Sequence, residues 1–205
     1  SEQGSLTGSA VVHPVLVHQL ASETVVPPGT VPDDTYKGVR GYYYSMCGHA
    51  EKCVEHYLDL AKMKETDLKV VATPCIDDHA ISSEICLTKG ILSAVCSCIV
   101  LKVLYFARIA RPDLLAAVNV LARDVTRWTA ACDDRLLRLI SYIHCTKDWV
   151  MKWFVGNPLQ NLKLAGFADA SFAGDLKDSK STSGGFLALV GPRTYIPLTL
   201  SLIHI

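Results

Sequence analysis

No excess of charge of either sign marks this chain: twenty Lys and Arg are matched by twenty Asp and Glu across 205 residues. A global basic field that would draw it to nucleic acid, or an acidic one that would keep it disordered, is therefore absent. Aromatics are modest at 8%, yet half the residues are hydrophobic, enough for a real core in one ordinary domain or in pieces of two. Long apolar runs are missing as well. The longest, Ala94 to Leu101, stops at Lys102 and is interrupted again at Arg108, short of the roughly 18 residues of a membrane span. The eight cysteines lack the regular spacing of a small disulfide scaffold, and no secretory leader is read at the start. Reduced thiols in a cytosolic or nuclear protein are the expectation. No Gly-rich phosphate loop or dinucleotide fingerprint occurs.

What charge there is lies unevenly. Residues 1–99 carry seven basic and twelve acidic side chains, residues 100–152 nine and five, and residues 153–205 four and three. The middle stretch is the basic one. Arg108, Arg111, Arg123, Arg127, Arg135 and Arg138 could meet phosphates there, or could be helix faces with local partners such as Asp124 and Asp134.

The N-terminal third gives little period. Four prolines fall in the first 32 residues, and residues 25–34 read as a loop. From His49 to Lys62, Cys53, Val54, Tyr57, Leu58 and Ala61 recur at helical spacing, and Thr73-Pro74 breaks the chain. A second helix is expected over Ser93–Ile109, so apolar that most of its circumference should be buried. Arg111-Pro112-Asp113 opens a third, with Leu114, Leu115, Val118, Leu121, Ala122 and Val125 on one face. Asp133 or Asp134 should cap a fourth carrying Leu136, Leu137, Ile140, Ile143 and His144. Beyond Lys147 the pattern turns to strand-like runs at Trp149–Val155, Leu162–Ala168, Gly185–Val190 and Thr194–Leu198, with Asn157-Pro158 as a turn.

Phe167 to Gly185, FADASFAGDLKDSKSTSGG, is the stretch with most chemical content. Lys163, Ala165, Phe167 and Asp169 share one strand parity, so Asp169 sits at the end of an apolar strand before a turn of small residues. Such a carboxylate can bind a hard cation, or can simply end a strand. Asp175 and Asp178 read as solvated turn residues. Cys75-Ile76-Asp77-Asp78 reads as a polar turn rather than a metal site. Cys47, His49, Cys53 and His56 mix zinc-type ligands, but the one-residue gap between the first two fits no usual finger, so a helix start is preferred. Cys96 and Cys98 read as small core residues, and His144-Cys145 has no third member of a triad.

RPDLLAAVNVLAR (Arg111 to Arg123), LLRLISYIHCTKDW (Leu136 to Trp149) and FADASFAGDLKDSKSTSGG together resemble the junction of reverse transcriptase and ribonuclease H in copia-type retrotransposon Pol polyproteins. The resemblance runs from about Leu92 to Thr199 and more weakly back to Cys53. It implies an α+β fold: a thumb-like helical connection over 49–148, then the first strands of an incomplete ribonuclease H-like α/β domain over 149–199. Residues 1–48 stay unplaced, and 200–205 resemble a translated sequencing adaptor. It also implies a parent that copies RNA into DNA and hydrolyses RNA in hybrids with Mg²⁺, with Asp169 as first catalytic carboxylate and metal ligand. The implied partners are an RNA–DNA hybrid or primer-template and the rest of the polyprotein, with no membrane, in cytoplasmic particles and the nucleus. The family's later carboxylates and the polymerase metal site are missing, so this piece should be inactive. The alternative is a non-catalytic protein- or nucleic-acid-binding remnant of such an element.

Overall fold

The computed structural model describes residues 38–77, 81–171 and 181–204, and the elements follow the sequence periods closely in the helical part. Helix α1 spans Cys47–Ala61 and buries Ala50, Cys53, Val54 and Tyr57, the stripe that spacings of three and four put on one side. It ends at Lys62, which takes a left-handed conformation and donates its N–H to Leu58 O. Helix α2 is the short Ser83–Leu87. A 3-10 turn over Ile91–Ala94 leads into α3, Cys96–Ile109, and another over Pro112–Leu114 leads into α4, Leu115–Arg123. Helix α5, Ala130–Cys145, closes the bundle.

One core joins these helices. Ile99, Val103, Phe106, Leu114, Val118, Leu121, Leu136, Leu139, Ile140 and Ile143 are shut off from solvent and pack with α1. Each such side chain contributes about 1.5–3 kcal/mol of hydrophobic transfer, which is what holds short helices that would be marginal alone. Helix α3 departs from expectation. Its buried side is Cys96, Ile99, Val100, Val103, Phe106 and Ala107, while Leu101 and Tyr105 are exposed, because its packing partners lie on one side only. Two backbone acceptors tie α1 to α3: His49 Nε2 lies 3.2 Å from Lys102 O, and Lys102 Nζ donates to Lys52 O at 2.8 Å.

Among the described residues the sheet has five strands in the order β1-β2-β5-β4-β3: β1 Arg40–Tyr44, β2 Met151–Val155, β3 Lys163–Ser171, β4 Thr182–Gly191 and β5 Thr194–His204. Every pairing is antiparallel. The mixed helix and antiparallel-sheet class agrees with an α+β fold; no ribonuclease H-like arrangement is shown. Strand β1 had no counterpart in the sequence reading. It pairs along its whole length with β2, Tyr42 opposite Trp153 and Tyr44 opposite Met151, so the segment before α1 shares a sheet with the C-terminal strands. Residues 200–204 continue β5, and Leu200 and Leu202 reach the helical core.

The Asn157 turn after β2 is locked from a distance. Buried Thr194 Oγ1 accepts the N–H groups of Gly156 and Asn157 at 3.0 Å each and donates to Asn157 Oδ1, which also accepts Arg193 N–H at 2.7 Å. Those bonds satisfy backbone groups that a turn would otherwise leave open.

Burial sets an alkaline limit on this fold. Burial pushes the Cys53 thiol from its ordinary 9.0 up to about 11, against the pull of Lys102, and the Tyr57 hydroxyl from 10.0 up to about 12, aided by the charges of Asp133 and Asp134. Both groups hold their protons more tightly folded than unfolded. Their contribution is whole below pH 9 and is lost as pH rises through about 11 for Cys53 and about 12 for Tyr57. The urea midpoint should therefore stay level to about pH 9 and then fall, costing a few kcal/mol by about pH 11.5. In Cys53→Ala the decline should start nearer pH 10. A midpoint unchanged from pH 9 to 11 in the parent chain would show that water reaches the Cys53 thiol.

Candidate functional site

The residues that sequence reasoning singled out are not brought together. Asp169 lies on β3, opposite Gly184, and is exposed. Among the described residues no three His, Cys, Asp or Glu side chains converge to hold a metal ion. Asp78, Asp175 and Asp178 lie outside the described residues. Cys75 and Ile76 line a small cleft of about 100 Å³ with Pro74, Ala117, Val120 and Arg135. Cys47, His49, Cys53 and His56 are dispersed: Cys53 is buried, His49 reaches toward Lys102, and Cys47 accepts from Ser45 Oγ. None of the eight cysteines is paired in a disulfide. Cys96 is core as expected, with Sγ 3.7 Å from Ser93 O, but Cys98 is exposed on the opposite side of α3. His144 faces Glu65 at 3.6 Å and Cys145 faces Lys69 O, which gives no nucleophile and base pair.

The arginines of the basic stretch divide in the structure. Arg111 is no phosphate contact: it is 2% exposed. Its Nε donates to Asp113 Oδ1 at 2.9 Å and its Nη2 to Asp113 Oδ2 at 2.7 Å, a forked pair. Nη1 donates to Thr146 O at 2.8 Å and Nη2 to Thr146 Oγ1 at 2.7 Å. The guanidinium also sits 5.8 Å from the Phe106 ring centre, 5.7 Å from Tyr142 and 5.3 Å from Trp149. The Arg-Pro-Asp sequence therefore closes α3 onto the end of α5. Arg138 donates from Nε to Thr73 O at 2.8 Å and from Nη2 to Thr73 Oγ1 at 2.9 Å, and Arg127 lies 3.4 Å from Asp124. Arg108 is exposed on the last turn of α3.

Asp133 has a role that local reading missed. Helix α5 starts at Ala130 with Thr129 as its cap residue, and neither Asp133 nor Asp134 caps it. Asp133 instead reaches across to the Ile91–Ala94 turn. It accepts the N–H groups of Ile91 and of Leu92, the latter at 3.2 Å, and the Trp128 indole N–H at 2.7 Å. An open cleft of about 400 Å³ lies alongside, lined by Lys89, Ser93, Ala94, Val125, Thr126, Arg127 and Trp128.

The sheet leaves a further group of large apolar side chains open to solvent. Cross-strand partners share a face, so the registers Phe167↔Phe186, Lys163↔Val190, Val190↔Tyr195 and Tyr195↔Phe154 place these side chains on one side of four strands. Phe167 is 59% exposed, and Phe154 and Tyr195 are 44% exposed each. The Phe167 and Phe186 rings lie 6.0 Å apart. On the opposite side Leu164 and Leu187 are also open. The Phe167 side is not open throughout, since Leu200 lies opposite Phe186 and packs on the helical core; its open parts, Phe167 at one end and Phe154 with Tyr195 at the other, can take up a protein chain.

No family model and no solved structure matches the chain. It is similar to the secreted RxLR effector protein 161 of Plasmopara viticola, 33% identical over a 94-residue alignment that covers 43% of this chain and 61% of that protein. The match thus spans about three fifths of the length of the curated relative. This corrects the reading as the end of a copia-type reverse transcriptase with the opening of its ribonuclease H: the named relative is a secreted effector, and nothing here supports a polyprotein fragment. The parent activities, RNA-directed DNA synthesis and hybrid hydrolysis, fall with it. So does the cytoplasmic and nuclear location, since the relative is secreted. Two of the three motifs behind that resemblance have structural duties instead, in the Arg111 cluster and on the buried side of α5. Arg135-Leu136-Leu137-Arg138 spells the pattern in the relative's name, but here it is one turn of α5 with Leu136 fully buried and Arg138 bound to Thr73.

Proposed function

We propose that this chain is the folded part of a secreted, effector-type protein that works by binding another protein through the apolar surface of its sheet. The observation that carries the reading is the 33% identity with a secreted effector over 94 residues. The open Phe154, Tyr195 and Phe167 supply the contact surface, with aromatic rings of the kind that anchor protein interfaces. No helix of the described residues is long and apolar enough to cross a membrane. The finer fold expectation, a thumb-like helical segment followed by an incomplete ribonuclease H-like domain, finds support only in the run of four strands after the helices.

Quantitative mass spectrometry of culture fluid and washed cells of the encoding organism tests the reading. Peptides from residues 38–204 should be enriched in the fluid relative to a cytosolic marker. Peptides confined to the cells would overturn it.

A further inference from the structure

Strand β3 ends the sheet, bonded to β4 on one side and to no described residue on the other. Its nine residues include Lys163, Leu164, Gly166, Phe167, Ala168, Asp169 and Ala170, all exposed. An edge this long, without a proline and with two large apolar side chains, is a template for another strand. The edge is also complementary to itself. Lys163 and Asp169 lie on the same face, three residues to either side of Gly166, and neither forms an ion pair with a described residue.

A two-fold axis perpendicular to the sheet through Gly166 would set a second β3 antiparallel to the first. Lys163 then faces Asp169 of the other copy, twice. On that face Phe167 falls beside Ala165, and on the opposite face Leu164 falls beside Ala168, so the exposed apolar side chains gain small, apolar neighbours. Gly166 meets itself at the axis, where no side chain crowds the approach. Moving the axis by one residue either way breaks both Lys–Asp pairs. We propose that the chain forms a two-fold dimer by antiparallel β3–β3 pairing centred on Gly166, with two reciprocal Lys163–Asp169 pairs fixing the register. This isologous contact joins two sheets into one of ten strands.

Sedimentation equilibrium of the full chain over a concentration series, at low salt, tests this. A reversible dimer is expected, weakened by added salt. Lys163→Glu alone and Asp169→Lys alone each place like charges opposite one another twice, and each should raise the dimer dissociation constant about tenfold. An equimolar mixture of the two variants should dimerise about as well as the parent, since in the mixed pair every charge faces its opposite. A parent that stays monomeric throughout overturns the proposal. So does a dimer that neither single variant weakens, because the contact then lies elsewhere. Failure of the mixture to recover the dimer excludes the Gly166-centred register. The exchange between two separately weakened variants also answers the concern that either is misfolded.

Discussion

Replacing Arg111 with alanine should lower the unfolding free energy by about 2–4 kcal/mol, through the hydrogen bonds and packing of a buried side chain, while the partly exposed Asp113 left behind can be solvated. The charge left behind is that of Asp113, whose carboxylate loses both bonds of the fork. Thr146 O loses its side-chain donor, and Thr146 Oγ1 loses the Arg111 donor while keeping its own bond to Tyr142 O. The rings of Phe106, Tyr142 and Trp149 lose the plate they surround. Arg111→Lys keeps the charge but has neither the fork nor the flat face, so it should recover less than half of the loss. Asp113→Ala should cost a similar amount, and the double variant should cost well below the sum, since one event breaks the same cluster. Urea unfolding followed by far-ultraviolet circular dichroism measures all four proteins. If Arg111→Ala stays within about 1 kcal/mol of the parent, the cluster is ornament rather than a joint.

The second large effect is expected where Asp133 holds the Ile91–Ala94 turn. Asp133→Ala leaves two backbone N–H groups and the Trp128 indole without their acceptor, and about 2–4 kcal/mol should go with them. Asp133→Asn keeps one acceptor oxygen but swaps the other for a donor that faces N–H groups, so it should rescue only part. Gly90→Ala should damage the same place by another route. A Cβ there would lie 2.5 Å from Thr129 O, a backbone atom that cannot swing aside, and 2.6 Å from Trp128 Cδ1. That crossing is pinned on both sides, because Gly90 N–H donates to Trp128 O at 3.2 Å and Ala130 N–H to Thr88 O at 2.9 Å. Indole emission should shift to the red in each variant as Trp128 gains water. An unchanged spectrum in Asp133→Ala with native stability would mean that the carboxylate is replaceable by solvent.

These two clusters mark where sequence reading stopped. The stripe Cys53, Val54, Tyr57 and the face Leu114, Leu115, Val118, Leu121 are legible because the period of a helix is a local property. The four C-terminal strands are legible for the same reason, in period two. Arg111 was read as a surface cation, because nothing nearby in sequence announces that Tyr142, Thr146 and Trp149 close over it from more than thirty positions away. Sequence alone assigns Asp133 to the nearest helix start, the ordinary use of an Asp in that place, whereas the two backbone N–H groups it accepts lie about forty residues earlier. Strand β1 escaped for want of a period: Arg-Gly-Tyr-Tyr-Tyr is short, and what makes it a strand is β2. The site fared worse than the fold. Asp169 was found as an isolated carboxylate, and its candidate role changes with its neighbours across a sheet edge that sequence does not display.

The pairing of β1 with β2 also dictates an order of events during synthesis. Tyr44 leaves the ribosome about a hundred residues before Met151, the residue it must face. At roughly 5–20 residues per second the β1 segment waits for seconds with its backbone unpaired while the helices emerge and collapse behind it. Helical contacts are near in the chain and form quickly; this strand pair closes across the whole bundle and forms late. A nascent chain halted just after Cys145 should therefore hold a helical core with a loose, tyrosine-rich leader. Chaperones that read extended aromatic segments would meet it in that interval, before β2 arrives and takes their place.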